Sequence, residues 1–159
     1  MTELCTQPFR QEYREAALRL LRAFFHEEGL GVPAPLLAAR FDRFAADERN
    51  AVLLALAGEE VLGIITLTTS FGLEFGLSAE LEDLYVLPEA RGQGVAGRLL
   101  DAALAWCRAQ GVRAACLVVL PEDAAAGRLI PFYEARGFVD EGRRLLFFDG
   151  DLSGAGGET

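Results

Sequence analysis

The sequence predicts a single α/β domain, and three observations lead to that prediction. Segments with the hydrophobic pattern of strands alternate with segments that have the pattern of amphipathic helices. A glycine-rich stretch near the middle of the chain joins a strand directly to a long helix. A hydrophobic content of 52% over 159 residues is sufficient for one substantial core. We therefore expect one domain over residues 1–149, followed by a flexible tail rich in glycine and serine at 150–159.

The first third of the chain predicts a short strand and two helices. Residues 4–8 have the composition of a short strand. From residue 10 to residue 28, apolar side chains recur at helical spacing and share one stripe: Tyr13, Ala16, Ala17, Leu20, Leu21 and Phe24. Gly29 and Gly31 end this helix, and Pro33 opens a second helix that extends to about residue 46. The two helices together predict one apolar layer against a sheet.

The middle of the chain predicts strands around the glycine-rich stretch. Residues 51–57 and 61–70 form a hairpin about a turn at 58–60, and residues 78–87 form the central strand. Between them, the segment 71–77 holds two aromatic residues between glycines, which fits either a wall of an acceptor pocket or ordinary loop packing. A long helix follows the glycines at 94–110 and stops at Gly111.

The last third predicts one buried strand, one short helix and the final strands of the sheet. Residues 114–120 form the buried strand with Cys116 inside it, and residues 121–127 form a loop. The short helix at 128–136 carries Tyr133, and Pro131 is acceptable there only near the first turn. From Phe138 onward, and especially at 143–149, apolar residues predict the last strands.

Composition narrows the class of protein. A net charge of −9 opposes binding to nucleic acid, and it suits either a cationic substrate or simple solubility. The three cysteines contain no Cys-x-x-Cys pair, so we expect reduced core thiols, and a single histidine gives little basis for a metal site. Neither a long apolar run nor a signal peptide is evident, which predicts a soluble cytoplasmic protein that does not bind membranes.

The stretch 81–97 joins the central strand to the long helix and predicts an anion site. The first turn of a helix leaves backbone N–H groups without partners, and glycines allow a phosphate to approach them. Gly92, Gly94 and Gly97 match the Gly-x-Gly-x-x-Gly spacing of dinucleotide-binding domains. However, a doubly wound sheet needs further strand-helix units, and only about sixty residues follow. A phosphate-binding P-loop is excluded because no Gly-Lys-Ser or Gly-Lys-Thr occurs.

The same stretch resembles the GNAT superfamily of acetyl-CoA-dependent N-acetyltransferases. The signature Arg/Gln-x-x-Gly-x-Gly/Ala is matched at residues 91–96, directly after the strand end Leu-Tyr-Val-Leu-Pro at 84–88. A second element, Pro-Phe-Tyr-Glu-Ala-Arg-Gly-Phe at 131–138, is similar to the family's Phe-Tyr-x-x-x-Gly-Phe element. The two motifs occur in the family's order, and the resemblance extends over about residues 52–148.

The resemblance implies a fold and a coenzyme. The GNAT fold is a mixed, mostly antiparallel sheet of about six to seven strands, flanked by about four helices, with a splayed central strand pair. The implied cosubstrate is acetyl-CoA, with no metal. Backbone groups of Leu84, Tyr85 and Val86 are expected to pair with pantetheine. The pyrophosphate is expected to bind the loop that follows, which consists of Arg91, Gly92, Gln93, Gly94, Val95, Ala96 and Gly97. Arg98 is expected to add positive charge there.

The resemblance also implies catalytic residues. Tyr133 matches the tyrosine that many family members place beside the coenzyme sulfur as general acid, although it could simply pack between Phe132 and Phe138. Glu82 matches a carboxylate that contacts the amine in polyamine acetyltransferases. We expect it to act as base directly or through a water, and the alternative is a salt-bridged structural carboxylate. Adjacent strand residues point to opposite faces, so Asp83 shares the cleft only if a bulge intervenes. His26, Glu27 and Glu28 lie at the end of the first helix, which either meets the amine or is simply solvated, and Glu28 is the candidate substrate contact among them.

The implied reaction is acetyl transfer from acetyl-CoA to a primary amine by direct attack in a ternary complex. A polyamine-like or aminoglycoside-like cation is the favoured acceptor, and a homodimer is possible. A protein N-terminus or lysine side chain is an alternative acceptor, and a coenzyme-binding module without turnover is an alternative function. One departure from the family pattern is Ala126, which stands where many members have a coenzyme-contacting asparagine; Asp123 could replace that contact.

Overall fold

A five-stranded mixed sheet is the framework of the described residues, which are residues 3–153 of this computed structural model. The strands lie side by side in chain order: β1 (Leu4–Pro8), β2 (Ala51–Ala57), β3 (Glu60–Gly72), β4 (Gly76–Val86) and β5 (Ala114–Leu117). The pairs β1–β2, β2–β3 and β3–β4 are antiparallel, and β5 is parallel to β4. The predicted mixed, mostly antiparallel sheet is therefore confirmed, but the prediction of six to seven strands is wrong.

The sheet lies in the first of two compact units, Met1–Val118 and Val119–Thr159. Three helices of this unit pack on the sheet: α1 (Arg14–Glu27), α2 (Ala34–Ala46) and α3 (Val95–Ala109). α1 and α2 share an apolar core with Ile64 of β3, whereas a Cβ atom on the adjacent Gly63 would lie 2.9 Å from Leu99 of α3. Since adjacent strand residues face opposite sides, α3 packs on the face opposite to α1 and α2.

The helices predicted from hydrophobic spacing are confirmed to within a few residues. A short 3₁₀ turn, Gln11–Tyr13, precedes α1, which accounts for the helix beginning later than its apolar stripe. The segment 71–77 is a hairpin rather than a loop, since Phe71 pairs with Leu77 and Gly72 pairs with Gly76. Phe71 is 80% exposed there, so it does not take part in ordinary loop packing. Among the described helices, none has both the length and the apolar character that a membrane span needs.

The second unit is helical where it is regular. It contains α4 (Pro121–Ala125), at a position predicted to be a loop, and α5 (Leu129–Glu134), where a short helix was expected. Pro131 lies in the first turn of α5, where its missing N–H costs no helical hydrogen bond. No strand forms between residues 119 and 153, so the predicted strands from Phe138 onward are wrong.

The C-terminal apolar segment shows why that prediction failed. A strand needs a partner for its backbone groups, and apolar composition alone does not supply one. Leu146 and Phe147 are 88% and 87% exposed, so no neighbouring layer covers them among the described residues. Of the predicted flexible tail, residues 150–153 carry no helix or strand, and residues 154–159 lie outside the described residues.

The cysteines and β5 also differ from expectation. β5 ends at Leu117, earlier than the predicted end at residue 120, and Cys116 is exposed rather than buried. Cys5 is exposed as well, so only Cys107 is a core thiol, although all three are unpaired. β5 is the edge strand of the described sheet and has no strand on its outer side, which explains why its side chains are less buried than a central position predicts.

Gly63 provides a test of how closely α3 packs on β3. A Cβ atom there would lie 2.9 Å from Leu99, 3.0 Å from the Tyr85 carbonyl and 3.2 Å from Val95. We expect Gly63→Ala to reduce the free energy of unfolding by about 1–3 kcal/mol, because overpacking forces the strand and helix apart. Urea denaturation measures the change.

Gly72→Ala is the matched control, since Gly72 lies in the same strand with no atom near its Cβ position. We expect it to be neutral or slightly stabilising, because alanine is better than glycine in an extended strand. Equal effects of the two substitutions would contradict the close packing.

Candidate active site

β4 contains a β-bulge at Glu82. In its pairing with β3, Asp83 lies opposite Thr66 and Leu81 lies opposite Leu67, so Glu82 is an extra residue without a partner. A bulge of this kind bends the strand and changes the direction of the side chains around it. The alternation that would send Glu82 and Asp83 to opposite faces is therefore broken at this point.

As a result, Glu82 and Asp83 both reach the same face of the sheet. The Thr68 hydroxyl donates to Glu82 Oε1 at 2.7 Å, and the Thr66 hydroxyl donates to Asp83 Oδ2 at 2.5 Å. Ile64, Thr66 and Thr68 are every second residue of β3, so their side chains lie on the same face of the sheet. This is the face that carries α1 and α2. The two candidate bases from the sequence are thus brought together by the backbone.

The two carboxylates differ in environment. Glu82 is exposed, whereas Asp83 is partly buried. Burial raises the pKa of Asp83; the hydrogen bond from Thr66 lowers it, and the negative charge of Glu82 raises it further. Burial also raises the pKa of Glu80, with a smaller contribution from Glu82. A raised pKa makes a carboxylate a better proton acceptor near neutral pH. Asp83 lies on the same face of the sheet as Glu82 and is therefore also a candidate base.

The pairing of β4 with β5 ends just before these carboxylates. The parallel pairing runs from Ser78 and Ala114 to Leu81 and Leu117 and then stops, while β4 continues through Val86. On its other side β4 stays paired with β3, because Leu84, Tyr85 and Val86 lie opposite Ile65, Ile64 and Gly63. The β4 residues predicted to contact pantetheine, Leu84, Tyr85 and Val86, therefore lie along an edge of the strand that is not paired with β5.

The loop after β4 has the properties of an anion site. Gly92 and Gly94 adopt φ angles of 74° and 80°, in the left-handed region, and no atom lies within 4 Å of a Cβ position on either. Among the described residues, the backbone N–H groups of 92–97 make no close hydrogen bond to a backbone carbonyl outside the regular elements, and the first bond into α3 is from Arg98 N–H to the Gly94 carbonyl at 3.1 Å. The first turn of α3 has no acidic side chain. These features fit a diphosphate group.

Arg91 and Arg98 flank this loop, but their side chains contact other parts of the protein. Arg91 donates from Nε to the Val86 carbonyl at 3.0 Å and from Nη2 to Glu27 Oε2 at 2.9 Å. Arg98 donates to the Leu4 carbonyl at 2.7 Å. The two cations add positive charge near the loop, and their hydrogen bonds connect the loop to β4, α1 and β1.

The contacts of Glu27 were not predicted from the sequence, which grouped Glu27 with His26 and Glu28 at the helix end and named Glu28 as the candidate to contact the amine. Glu27 Oε1 accepts from the Tyr85 hydroxyl at 2.7 Å, and its other oxygen accepts from Arg91. The hydrogen bond from Tyr85, followed by that from Arg91, lowers the pKa of Glu27. Glu28 is exposed at the C-terminal cap of α1. Helical spacing could have indicated that the side chain of Glu27 faces the sheet, because Glu27 lies on the same helical face as Leu20 and Phe24.

Tyr133 lies in α5, in the second compact unit. Its ring makes edge contacts with Phe132 and Phe138, with centroid separations of 5.1 and 5.7 Å. Burial raises the pKa of Tyr133, and the charge of Asp123 raises it further, so the phenol stays protonated at neutral pH. These contacts agree with a packing role and also leave a protonated donor, so the catalytic role stays a prediction.

Among the described residues, no group of three or more His, Cys, Asp or Glu side chains is arranged to hold a metal ion. The carboxylates of β4, the backbone donors of residues 92–97 and the edge of β4 that is not paired with β5 supply chemical groups at the site. This combination can hold an anion at the helix N-terminus and accept a proton on the opposite face of the sheet.

Comparison with known proteins adds a family and a set of similar folds. The model of the acetyltransferase (GNAT) family matches residues 9–138. No curated protein sequence matches the chain. An aminoglycoside N-acetyltransferase solved in complex with CoA is 20% identical, covering 94% of this chain and 96% of its own, with a TM-score of 0.80.

Two further solved structures are similar. An integron cassette protein from the mobile metagenome of Cole Harbour Salt Marsh is 26% identical, covering 94% of this chain and 91% of its own, with a TM-score of 0.79. A transcriptional regulator from Bacillus halodurans is 21% identical, covering 92% and 99%, with a TM-score of 0.78. Such similarity establishes a shared fold across proteins with differently described roles.

The raised pKa of Asp83 predicts a pH-dependent effect on stability. Folded Asp83 keeps its proton at pH values where the unfolded chain has lost it, so this group reduces the free energy of unfolding as pH rises through that range. Asp83→Asn removes the titration. We expect the variant to be more stable than the parent at pH 7, with the difference shrinking below the ordinary carboxyl pKa of about 3.9.

Urea denaturation at pH 7 and pH 3 measures this dependence. Glu59→Gln, in the exposed turn between β2 and β3, is the control that changes the net charge by the same amount. A less stable Asp83→Asn protein at pH 7, with the same deficit at pH 3, would show that burial does not penalise the Asp83 charge.

Proposed function

The chain belongs to the GNAT acetyltransferase family, and from this premise we propose that it transfers acetyl from acetyl-CoA to a primary amine by direct attack in a ternary complex. The observation that carries the proposal is the bulge in β4. It brings Glu82 and Asp83 to one face of the strand, just beyond Leu81, where the pairing of β4 with β5 ends. A proton acceptor therefore stands beside an open strand edge that leads to an anion-binding loop.

Acetyl-CoA would bind along the end of β4 and the loop that follows. It supplies an acetyl group already activated as a thioester. The backbone of Leu84, Tyr85 and Val86 offers hydrogen-bonding groups along the open edge, and the N–H groups of residues 92–97 offer donors to the diphosphate. Two glycines with open space at their Cβ positions permit close approach of the phosphate oxygens.

The amine acceptor would be activated by the carboxylates of β4. Glu82 or Asp83 takes a proton from the ammonium form directly or through a water, and the free amine nitrogen attacks the thioester carbonyl carbon. A carbon–nitrogen bond forms and the carbon–sulfur bond breaks. The nitrogen releases its second proton to solvent as the amide forms, and the leaving thiolate takes up a proton. Tyr133 is the proposed donor of that proton, supported by a pKa that keeps its phenol protonated at neutral pH.

The proposed acceptor is a small cation that resembles a polyamine or an aminoglycoside. Three acidic side chains lie close together on β4: Glu80, Glu82 and Asp83. The negative charge of Glu82 raises the pKa of both Glu80 and Asp83, in addition to the effect of burial. The net charge of −9 favours the approach of such a cation. Two of the similar solved structures are described as aminoglycoside acetyltransferases, at 20% and 17% identity.

The experiment that tests this function is a thiol-release assay with acetyl-CoA and a panel of amines. The panel contains a linear polyamine, an aminoglycoside, and peptides with a free N-terminus or a lysine side chain. We expect turnover with the small cations and little with the peptides. Turnover with peptides alone would favour a protein acetyltransferase, and coenzyme binding without turnover on any amine would favour a regulatory binding module.

Three variants assign the chemistry within that assay. Glu82→Gln and Asp83→Asn are compared, and the variant that lacks the general base is expected to show a kcat lower by about 10²–10⁴. Tyr133→Phe is expected to lower kcat by a similar factor of about 10² or more while coenzyme affinity is retained. Tyr13→Phe, in the turn before α1, is the control for loss of a phenol. Full activity of Tyr133→Phe would assign Tyr133 to packing between Phe132 and Phe138.

The loop itself is tested by Gly94→Ala. The substitution strains a residue with φ of 80° and adds a Cβ atom where the diphosphate is expected to approach. We expect coenzyme affinity to fall about tenfold or more, measured by calorimetry. Gly111→Ala is the matched control, because Gly111 follows the other end of α3 with a similar φ of 76° and equally open surroundings.

Gly111→Ala should lose a comparable amount of stability and keep the coenzyme affinity of the parent. If both variants bind the coenzyme as the parent does, the loop is not the diphosphate site.

A further inference from the structure

Glu27 connects three elements that meet at the glycine loop. It is the last residue of α1, and its two carboxylate oxygens have separate partners. One oxygen accepts from the hydroxyl of Tyr85 near the end of β4, at 2.7 Å. The other accepts from Arg91, the residue that precedes the glycines, at 2.9 Å. A single side chain of α1 therefore holds both the end of the strand and the beginning of the loop.

Arg91 closes the turn between β4 and the loop. Its Nε atom donates to the carbonyl of Val86 at 3.0 Å, which links the two ends of the turn 86–91. Its guanidinium also lies 5.3 Å from the centre of the Tyr85 ring, so the cation rests on an aromatic face. Glu27 completes this set of contacts by pairing with the remaining side of the guanidinium, which fixes the direction of the Arg91 side chain.

The Tyr85 contact makes the arrangement specific. Tyr85 is only 4% exposed, and a buried phenol hydroxyl needs a hydrogen-bond partner, which Glu27 provides. Burial, and then the hydrogen bond to Glu27, raises the pKa of Tyr85, so the phenol remains the donor in this contact. By contrast, the Glu27–Arg91 pair is partly open to solvent, with side-chain exposures of 42% and 48%. Pairs this exposed contribute little to overall stability.

We propose that Glu27 is a positioning residue for coenzyme binding. By holding Arg91 against the Val86 carbonyl, it fixes the turn that presents the N–H groups of residues 92–97. The proposal rests on the proposed function, because it assumes that those N–H groups bind the diphosphate. Preorganised donors bind an anion more tightly than donors that must first be ordered, so loss of Glu27 should appear in coenzyme affinity rather than in stability.

The test is calorimetric titration of CoA into the parent and into Glu27→Gln. The amide keeps the shape of the side chain and an oxygen for Tyr85, but it loses the charge that pairs with Arg91. We expect Kd to rise about five- to tenfold, the size expected for residues coupled in one network, with the melting temperature nearly unchanged. Glu59→Gln, in the exposed turn between β2 and β3, should bind CoA as the parent does.

A double-mutant cycle shows whether Glu27 acts through Arg91. In an Arg91→Ala background, Glu27→Gln should change Kd by less than about twofold, because its partner is already absent. Tyr85→Phe separates the second contact, since it removes the hydroxyl and keeps the ring beneath the guanidinium. Additive effects of Glu27→Gln and Arg91→Ala would overturn the proposal.

The two proposals fail in distinguishable ways. If the parent protein does not bind CoA, the proposed function is wrong and the positioning role falls with it. If the parent binds CoA and Glu27→Gln binds equally well, only the positioning role is overturned. A fall in melting temperature with unchanged affinity would also overturn it, since that result describes a purely structural contact.

Discussion

The candidate site depends on how β4 is paired along its length. From Ser78 to Leu81, β4 is paired with a strand on each side; beyond Leu81 it is paired only with β3, as far as Val86. Within the same few residues, the bulge at Glu82 changes the alternation of side chains. One strand therefore supplies an open backbone edge and two carboxylates on one face. Regular pairing on both sides would have removed the edge and separated Glu82 from Asp83.

The loop that follows extends this arrangement to an anion site. α3 begins at Val95 with unpaired N–H groups before it, and it packs on the face of the sheet opposite to Glu82 and Asp83. A bound anion and the proton-accepting carboxylates are thus kept apart, which limits repulsion between negative charges. Glu27 reaches the same junction from α1, so helices on both faces of the sheet contribute to it.

The sequence predicted the parts of this structure that depend on local chemistry. Helical spacing located α1, α2 and α3, and the glycines located the loop. Features that depend on a partner were not predicted. The bulge at Glu82 is defined by the register of β3, and Glu27 is defined by its contacts with Tyr85 and Arg91. Apolar residues at 143–149 predicted a strand, but no partner pairs with them among the described residues.

The central claim is that the N–H groups of residues 92–97 bind the diphosphate of coenzyme A. Backbone ¹⁵N–¹H correlation spectra, recorded during separate titrations with CoA and with NAD, test it most directly, because each of these residues has an amide resonance. We expect saturable shifts in the resonances of residues 92–97 with CoA and none with NAD. Shifts of the same resonances with NAD alone would contradict it, and would return the glycine pattern to dinucleotide binding.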